Sequence, residues 1–160
     1  MDTPKPNKIT DEKVALAKAE TYCAYQERAQ QEVRNKLYEW GLWPDAVENI
    51  IVHLITDNFL NEERFAKSYV QGKFKQKGWG KIKIKQGLKL KKIPDGLLKK
   101  ALQTIDGDDY FAMLTKIISK KAALLTEKDP YKRRYKLQQY AFSRGYESDL
   151  INDVLKASEL

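Results

Sequence analysis

A run of lysines around one tryptophan carries the most evident chemistry of this 160-residue sequence. Residues 64–100, which we call the basic segment, contain thirteen Lys or Arg residues and one acid, Asp95. The segment therefore has a net charge of +12, and since the whole chain has +8, the remainder sums to −4. Clustered ammonium groups neutralise phosphates or acidic surfaces, and an exposed indole ring stacks on bases. The basic segment thus predicts an anionic partner.

We predict that ten residues of the basic segment contact this partner: Arg64, Lys67, Lys73, Lys75, Lys77, Trp79, Lys81, Lys85, Lys89 and Lys92. At the 100° per residue of an α-helix, the last four lysines of this set share a stripe about 80° wide on one helix face. The alternative is a solvated helix face, with Trp79 packed between structural repeats of the chain. For Trp79, which stands between two glycines, packing and partner contact are both consistent with the sequence.

Residue types that support catalysis or metal binding are scarce in this sequence. The one histidine, His53, lies in the apolar stretch 50–55, which predicts a partly buried structural side chain. The one cysteine, Cys23, excludes an internal disulfide, and a zinc site built on it would need unusual ligands. The glycines at 78 and 80 are not followed by the Lys-Ser or Lys-Thr of a phosphate-binding loop. We therefore predict no enzyme activity, no cofactor and no metal.

Helical periodicity and residues typical of helix ends predict an all-α chain. Gly41 predicts the end of one helix and Pro44 the start of the next. Asn61 is the predicted N-cap of a further helix, because its side chain accepts a hydrogen bond from the first turn. Gly107 is predicted to precede a long helix from Asp109 to about Glu127. These elements must position the lysines and Trp79.

The start of the second basic helix is ambiguous in the sequence. Lys and Ile alternate strictly over 81–85, which is the pattern of a strand. Ile84 and Leu88, however, are four residues apart and indicate one apolar helix face. We therefore predict a helix over 81–92.

The sequence contains an internal repeat, with offsets of 51 and then 53 residues that superpose apolar positions. Gly41 and Gly145 fall at the same helix-ending place, where the middle copy has Lys92. Each copy has room for a small core only, so neighbouring copies are expected to depend on one another. We predict three tandem three-helix repeats in an elongated, curved array after a flexible leader: 1–10 for the leader, and 11–57, 58–106 and 107–160 for the repeats.

A known family shows the same order of motifs. An acidic turn precedes Arg-Phe-Ala at 64–66, an aromatic-Val pair at 69–70, Lys-Gly-Trp-Gly at 77–80, and a basic helix that closes on Ile93. This stretch resembles the RecX family, the regulators of the RecA recombinase, and the resemblance covers about 20–158. The chain departs from the family in carrying lysine where arginine is common. The planar guanidinium of arginine makes bidentate contacts that lysine cannot make. The chain also has Gly87 where a better helix former is usual.

The resemblance implies a non-enzymatic inhibitor of RecA. RecX proteins lie in the groove of the RecA–DNA filament, where they limit its extension, ATP hydrolysis and strand exchange. They thereby modulate recombinational DNA repair within the SOS response. The ATP belongs to RecA, so the RecX chain itself performs no chemistry. The implied partners here are the RecA filament and, through weak electrostatic contacts, single- and double-stranded DNA.

Two other functions stay open on the sequence. Three-helix units with a basic helix are typical of autonomous DNA-binding proteins with helix-turn-helix-like units. Lysines read bases poorly, however, and only Gln86 accompanies them between Lys81 and Lys92. A helical scaffold that meets an acidic protein or a membrane is the other alternative. Lipid binding requires an apolar face opposite the charge, and Ile84, Leu88 and Leu90 are better assigned to the core.

The composition predicts a folded cytoplasmic protein. Hydrophobic residues make up 42% and charged residues 32% of the chain, as in globular proteins with a charged surface. No apolar run approaches the roughly 20 residues that cross a bilayer, and the N-terminus does not resemble a signal peptide. A single cysteine suits a reducing compartment. No heptad seam indicates a coiled-coil dimer, so we expect a monomer without membrane contact.

Overall fold

The computed structural model describes residues 11–158, and within this range it contains nine α-helices and no strand. The helices are α1 Glu12–Tyr25, α2 Gln30–Glu39, α3 Pro44–Thr56, α4 Glu62–Lys77, α5 Lys81–Leu90, α6 Asp95–Leu102, α7 Gly107–Leu124, α8 Pro130–Ser143 and α9 Ser148–Ala157. The all-α prediction is confirmed, and the strand considered for 81–85 is a helix. The predicted leader, 1–10, lies outside the described residues.

Side-chain caps fix several helix starts. The Asn61 Oδ1 accepts a hydrogen bond of 3.0 Å from the Arg64 amide, as the sequence predicted for α4. The Asp106 carboxylate accepts one of 3.0 Å from the Asp109 amide. Because Asp106 is the cap, α7 begins at Gly107 and includes the glycine that was expected to precede it. Each such cap stabilises a helix by about 1 kcal/mol.

Three helices end in the left-handed backbone conformation at equivalent places of the repeats. Gly41 has a φ of 94° and Gly145 a φ of 97°, values that glycine adopts without steric cost. Lys92, at the equivalent place of the middle repeat, has a φ of 59° in spite of its side chain. Since α5 ends at Leu90, Lys92 follows the helix and does not extend the stripe of lysines that was predicted on it. The assignment of Leu90 to the core was wrong, because this last residue of the helix is 84% exposed.

The described helices divide into two compact units, and the division falls inside α4. The first unit comprises residues up to Ala66 together with Lys91–Ile93. Its core includes Val33, Leu37, Ile50 and Leu54, all almost fully buried. The second unit comprises Lys67–Leu90 and the residues from Pro94 onward. The repeat boundaries placed after residues 57 and 106 stay predictions.

His53 is exposed, so the prediction of a partly buried histidine was wrong. The buried positions of α3 are Ala46, Val47, Ile50, Ile51 and Leu54. At 100° per residue His53 lies about 90° from the centre of that face, although its sequence neighbours are apolar. Two of these neighbours, Val52 and Ile55, are exposed as well.

Gly87 has a packing role in the second unit. A Cβ placed on Gly87 would lie 2.0 Å from the hydroxyl of Tyr69 and 3.0 Å from its ring carbon Cζ. The glycine in α5 therefore makes room for a side chain of α4. This contact explains why a poor helix former occupies the middle of a helix.

Candidate functional site

The candidate site begins where α4 ends, at the loop 78–80. Gly78 has a φ of 66°, and its amide donates to the Phe74 carbonyl at 3.0 Å. The Trp79 amide donates to the Lys73 carbonyl, also at 3.0 Å. This pair of bonds closes the helix in a glycine-dependent C-terminal motif. The loop then leads directly into α5, so the two basic helices are joined by three residues.

The loop is docked by backbone contacts onto the turn between α8 and α9. The Gly80 amide donates to the Arg144 carbonyl at 2.8 Å, and the Ile82 amide donates to the Gly145 carbonyl at 3.0 Å. A Cβ on Gly80 would lie 2.2 Å from the Gly145 oxygen, and a Cβ on Gly145 would lie 2.4 Å from the Cβ of Lys83. Both positions therefore require glycine for the close approach.

Buried tyrosines complete the support of the loop. The Tyr110 hydroxyl accepts a hydrogen bond from the Lys81 amide at 2.9 Å and donates one to the Glu147 carboxylate at 2.6 Å. Burial, followed by this bond to Glu147, raises the pKa of Tyr110. The buried Tyr146 hydroxyl donates to the Gly78 carbonyl at 3.0 Å, and burial raises the pKa of Tyr146 as well. Both phenols stay protonated donors.

The Trp79 side chain is half-buried. The ammonium groups of Lys73 and Lys83 lie 4.8 and 4.6 Å from the centre of its indole ring. Cation–π contacts of this kind contribute about 0.5–1 kcal/mol each at exposed sites. The tryptophan thus holds two lysines of the basic segment in place, and Lys83 was not among the predicted contact residues.

The ten predicted contact residues separate into two groups by exposure. Five lysines are exposed and form no ion pair with any residue between 11 and 158: Lys75, Lys77, Lys85, Lys89 and Lys92. The other five are half-buried: Arg64, Lys67, Lys73, Trp79 and Lys81. Lys81 places its ammonium 4.7 Å from the centre of the Tyr110 ring, so part of its charge is directed inward.

Arg64 is engaged within the first unit. Its Nε donates to the Glu27 carboxylate at 2.5 Å, and its Nη atoms donate to the Asn58 side chain at 3.2 Å and the Asn58 carbonyl at 3.1 Å. These contacts join α4 to the residues after α1. An internal structural role accounts for Arg64, and its contact with a partner stays a prediction.

The described residues include neither a cluster of metal-ligating side chains nor a reactive thiol. Between positions 11 and 158, no group of three or more His, Cys, Asp or Glu side chains is placed to hold a metal ion. Burial raises the pKa of the Cys23 thiol to about 11, so this cysteine stays protonated and unreactive at neutral pH. The exposed lysines of α4 and α5 form a patch of positive charge, and such a patch attracts anionic surfaces in general.

Sequence reasoning missed the supporting residues, which all come from the last third of the chain. Tyr110, Gly145, Tyr146 and Glu147 fix the loop 78–80 and the first turn of α5. The Arg144 guanidinium also donates to the Lys77 carbonyl. Two glycines at helix ends were visible in the sequence. Their contact was not, because nothing local indicates which helix ends meet.

Three family models match the chain in tandem. The first three-helix domain of RecX matches residues 15–54, the second matches 61–102, and the third matches 108–155. The chain belongs to the RecX family. The prediction from the central motifs is confirmed, and so is the prediction of tandem three-helix repeats.

Relatives and solved structures agree with this assignment. The regulatory protein RecX of Prosthecochloris aestuarii is 30% identical over 146 residues, which cover 91% of this chain and 94% of that protein. RecX of Clostridium perfringens is 31% identical over 131 residues, and the match spans 81% of this chain but 61% of the longer relative. The crystal structure of RecX from Lactobacillus salivarius has the same fold, with a TM-score of 0.83 at 24% identity, covering 91% and 95% of the two chains.

The family domains give the site a place in the RecX architecture. The exposed lysines from Lys75 to Lys92 lie in the second RecX domain, whereas the tyrosines and the glycine turn that support the loop lie in the third. No helix among the described residues is long and apolar enough to span a membrane.

Proposed function

We propose that this chain is a non-enzymatic regulator of RecA, which binds the RecA–DNA filament and limits its extension, ATP hydrolysis and strand exchange. Its activity would thereby restrain recombinational DNA repair. Membership of the RecX family and the regulatory names of its relatives support this function. The observation that carries the proposal is the set of exposed lysines without ion pairs on α4 and α5.

The physical basis is electrostatic attraction on a rigid support. The charge of a lysine that is not paired with a carboxylate is not compensated within the chain. Such lysines therefore attract acidic filament surface or DNA phosphates. The docked loop fixes the start of α5, which limits the conformational entropy lost on binding. The chain acts by occupying the filament, as a monomer in the cytoplasm, and its basic segment contacts DNA through charge.

An autonomous DNA-binding protein is the second candidate. Gln86 is exposed on α5 together with Lys85 and Lys89, so one amide accompanies the lysines on an accessible helix. An amide reads adenine, whereas lysines contribute phosphate contacts without much base discrimination. Tight, sequence-dependent binding to bare duplex DNA in the absence of RecA would favour this candidate.

The test compares RecA from the same organism with and without this protein during DNA-dependent ATP hydrolysis. Charge reversal of three exposed lysines, Lys77→Glu, Lys85→Glu and Lys89→Glu, is expected to abolish the suppression seen with wild type. Lys81 is left unchanged, because its ammonium contacts Tyr110 and its loss would disturb the fold. The suppressed hydrolysis rate is measured at substoichiometric and equimolar protein.

A matched control separates position from net charge. Lys13, Lys120 and Lys156 are exposed and lie outside the basic segment, so reversing them changes the net charge equally. This control is expected to suppress hydrolysis like wild type. Equal loss in both triple variants would contradict a role for the basic segment, and suppression by both would move the RecA contact elsewhere on the chain.

A further inference from the structure

An aromatic stripe lies on the solvent side of α8, outside the basic segment. Tyr131 is 87% exposed, Tyr135 62% and Phe142 55%, high values for large rings in a folded protein. At 100° per residue the three rings fall within about 40° of one another on the helix. With 1.5 Å per residue, they are spaced about 6 and 10 Å along its axis. We call these three residues the aromatic stripe.

The side chains of the aromatic stripe have no evident structural role in the described part of the chain. The Tyr131 and Tyr135 hydroxyls form no hydrogen bond with another residue of that part, and neither ring forms a ring–ring or cation–π contact there. The buried face of α8 is carried by Leu137 and Ala141, so the stripe is not needed for packing. Exposed rings without a structural role indicate a surface for a partner.

The charge around the stripe selects the partner. Residues 130–143 contain four cations and no acid, and two of the cations beside the rings, Lys132 and Arg134, are exposed. Lys128 precedes the helix and is exposed as well. The nearest acids in sequence are engaged, since Asp129 caps α8 and Glu127 pairs with Lys136 at 3.4 Å. An anionic partner with flat apolar faces is complementary to this surface.

We propose that the aromatic stripe of α8 is a binding site for single-stranded nucleic acid. Unpaired bases stack on Tyr131 and Tyr135, while Lys132 and Arg134 neutralise the adjoining phosphates. Duplex nucleic acid is excluded, because its base faces are covered by neighbouring pairs. Base–aromatic stacking tolerates any sequence, so the site selects for strand state and not for base identity. The inference is independent of the basic segment and of RecA.

The test measures fluorescence anisotropy of a labelled oligo(dT) of about 16 nucleotides with the full chain alone. Tyr131→Ala and Tyr135→Ala are each expected to weaken binding about tenfold, in line with the loss of one stacked base. Tyr131→Phe and Tyr135→Phe keep the ring and are expected to bind like wild type. Because both tyrosines are exposed, the substitutions leave the core intact.

Further arms separate stacking from charge and one nucleic acid from another. An abasic oligonucleotide of the same length should bind more weakly than oligo(dT) and respond to neither alanine substitution. Removing Lys132 and Arg134 should lower the slope of log affinity against log salt by about 0.7 per cation, whereas the tyrosine variants should keep the slope. Oligo(U) in place of oligo(dT) shows whether the strand is RNA or DNA.

The same measurement is repeated in the Lys77→Glu, Lys85→Glu, Lys89→Glu background. A persistent tenfold effect of each tyrosine supports the site whether or not RecA is regulated. Unchanged oligonucleotide affinity in the double alanine variant would overturn the proposal and assign the stripe to a protein partner. Equal weakening by phenylalanine and alanine would also overturn it, since stacking requires only the ring.

Discussion

Lys92 has a left-handed backbone conformation, and glycine occupies the equivalent position in the first and third repeats. Its φ of 59° places a Cβ against the following carbonyl, which costs a residue with a side chain about 1–2 kcal/mol. Gly41 and Gly145 avoid this cost at the same point of the first and third repeats. The repeat offset in the sequence predicted the equivalence of the three positions. The strained backbone of the middle one became visible only in the structure.

Replacing Lys92 by glycine is therefore expected to stabilise the chain by about 1 kcal/mol, measured by urea unfolding. The gain is partly offset because glycine loses more entropy on folding. Lys92→Ala is the control, because it removes the charge and keeps the Cβ. Identical unfolding free energies for the glycine and alanine variants would show that the backbone at this position is not strained.

Gly80 faces the opposite constraint, since here contact and not φ requires glycine. Gly80→Ala places a methyl group 2.2 Å from the Gly145 oxygen, so the loop has to move off the α8–α9 turn. We expect a loss of about 1–3 kcal/mol in unfolding free energy, typical of overpacking.

Gly72→Ala serves as the comparison for this loss. Apart from the adjoining residues and backbone of α4 itself, nothing lies within 4 Å of a Cβ at position 72, which is in the middle of this helix. This variant should be more stable than wild type by about 0.5–1 kcal/mol. A Gly80→Ala protein as stable as wild type would mean that the loop is not docked in solution.

Among the elements, α5 depends on a distant tyrosine for its first turn. A helix start leaves amides without partners, and the residue before α5 is Gly80, which has no side chain to cap the helix. Tyr110 of α7 supplies the acceptor for the Lys81 amide and passes the hydrogen bond on to Glu147. The basic helix is thus positioned by the third repeat.

Tyr110→Phe removes this acceptor and leaves two polar groups without a partner. We expect a loss of about 1–3 kcal/mol in unfolding free energy and faster hydrogen exchange at the Lys81 amide. Tyr135→Phe, at an exposed position of α8, should change neither quantity. Unaltered exchange at Lys81 in the Tyr110→Phe protein would contradict the assigned role.

Helices were predictable from local signals and the site was only partly so. Glycines, Asn61 and apolar spacing specify where α2, α4 and α5 begin or end, because caps and left-handed residues act within one turn. His53 was predicted to be partly buried because its sequence neighbours are apolar, but it lies on the solvent-exposed side of α3. The support from Tyr110 and Glu147 involves residues 29 and 37 positions away from their partners, so no local pattern encodes it.

Across the two compact units, the pKa values of three buried groups, one thiol and two phenols, are all raised. Burial raises the pKa of Cys23 to about 11 from an ordinary value of 9.0, and it raises the pKa values of Tyr110 and Tyr146. A raised pKa in the folded state contributes stability that is complete below the unfolded pKa. That stability is lost as the pH rises further, because the unfolded chain releases protons which the folded chain retains.

We therefore expect the unfolding free energy to fall as the pH rises above about 9, where the thiol of the unfolded chain begins to ionise. Urea unfolding of wild type and Cys23→Ala is compared from about pH 8 to about pH 11. The stability advantage of wild type should shrink over this interval. A constant difference between the two proteins would show that the thiol ionises equally in both states.

The glycine contact between the loop 78–80 and the α8–α9 turn also has a consequence for inheritance. Every residue that a mutation can substitute for Gly80 or Gly145 carries a Cβ, and either Cβ meets the opposite backbone. A substitution at either position therefore lowers the stability of the protein. A substitution at one position does not make room for a side chain at the other. A chimera that exchanges the second or the third RecX domain between family members will assemble only where both partners contribute a glycine at this contact.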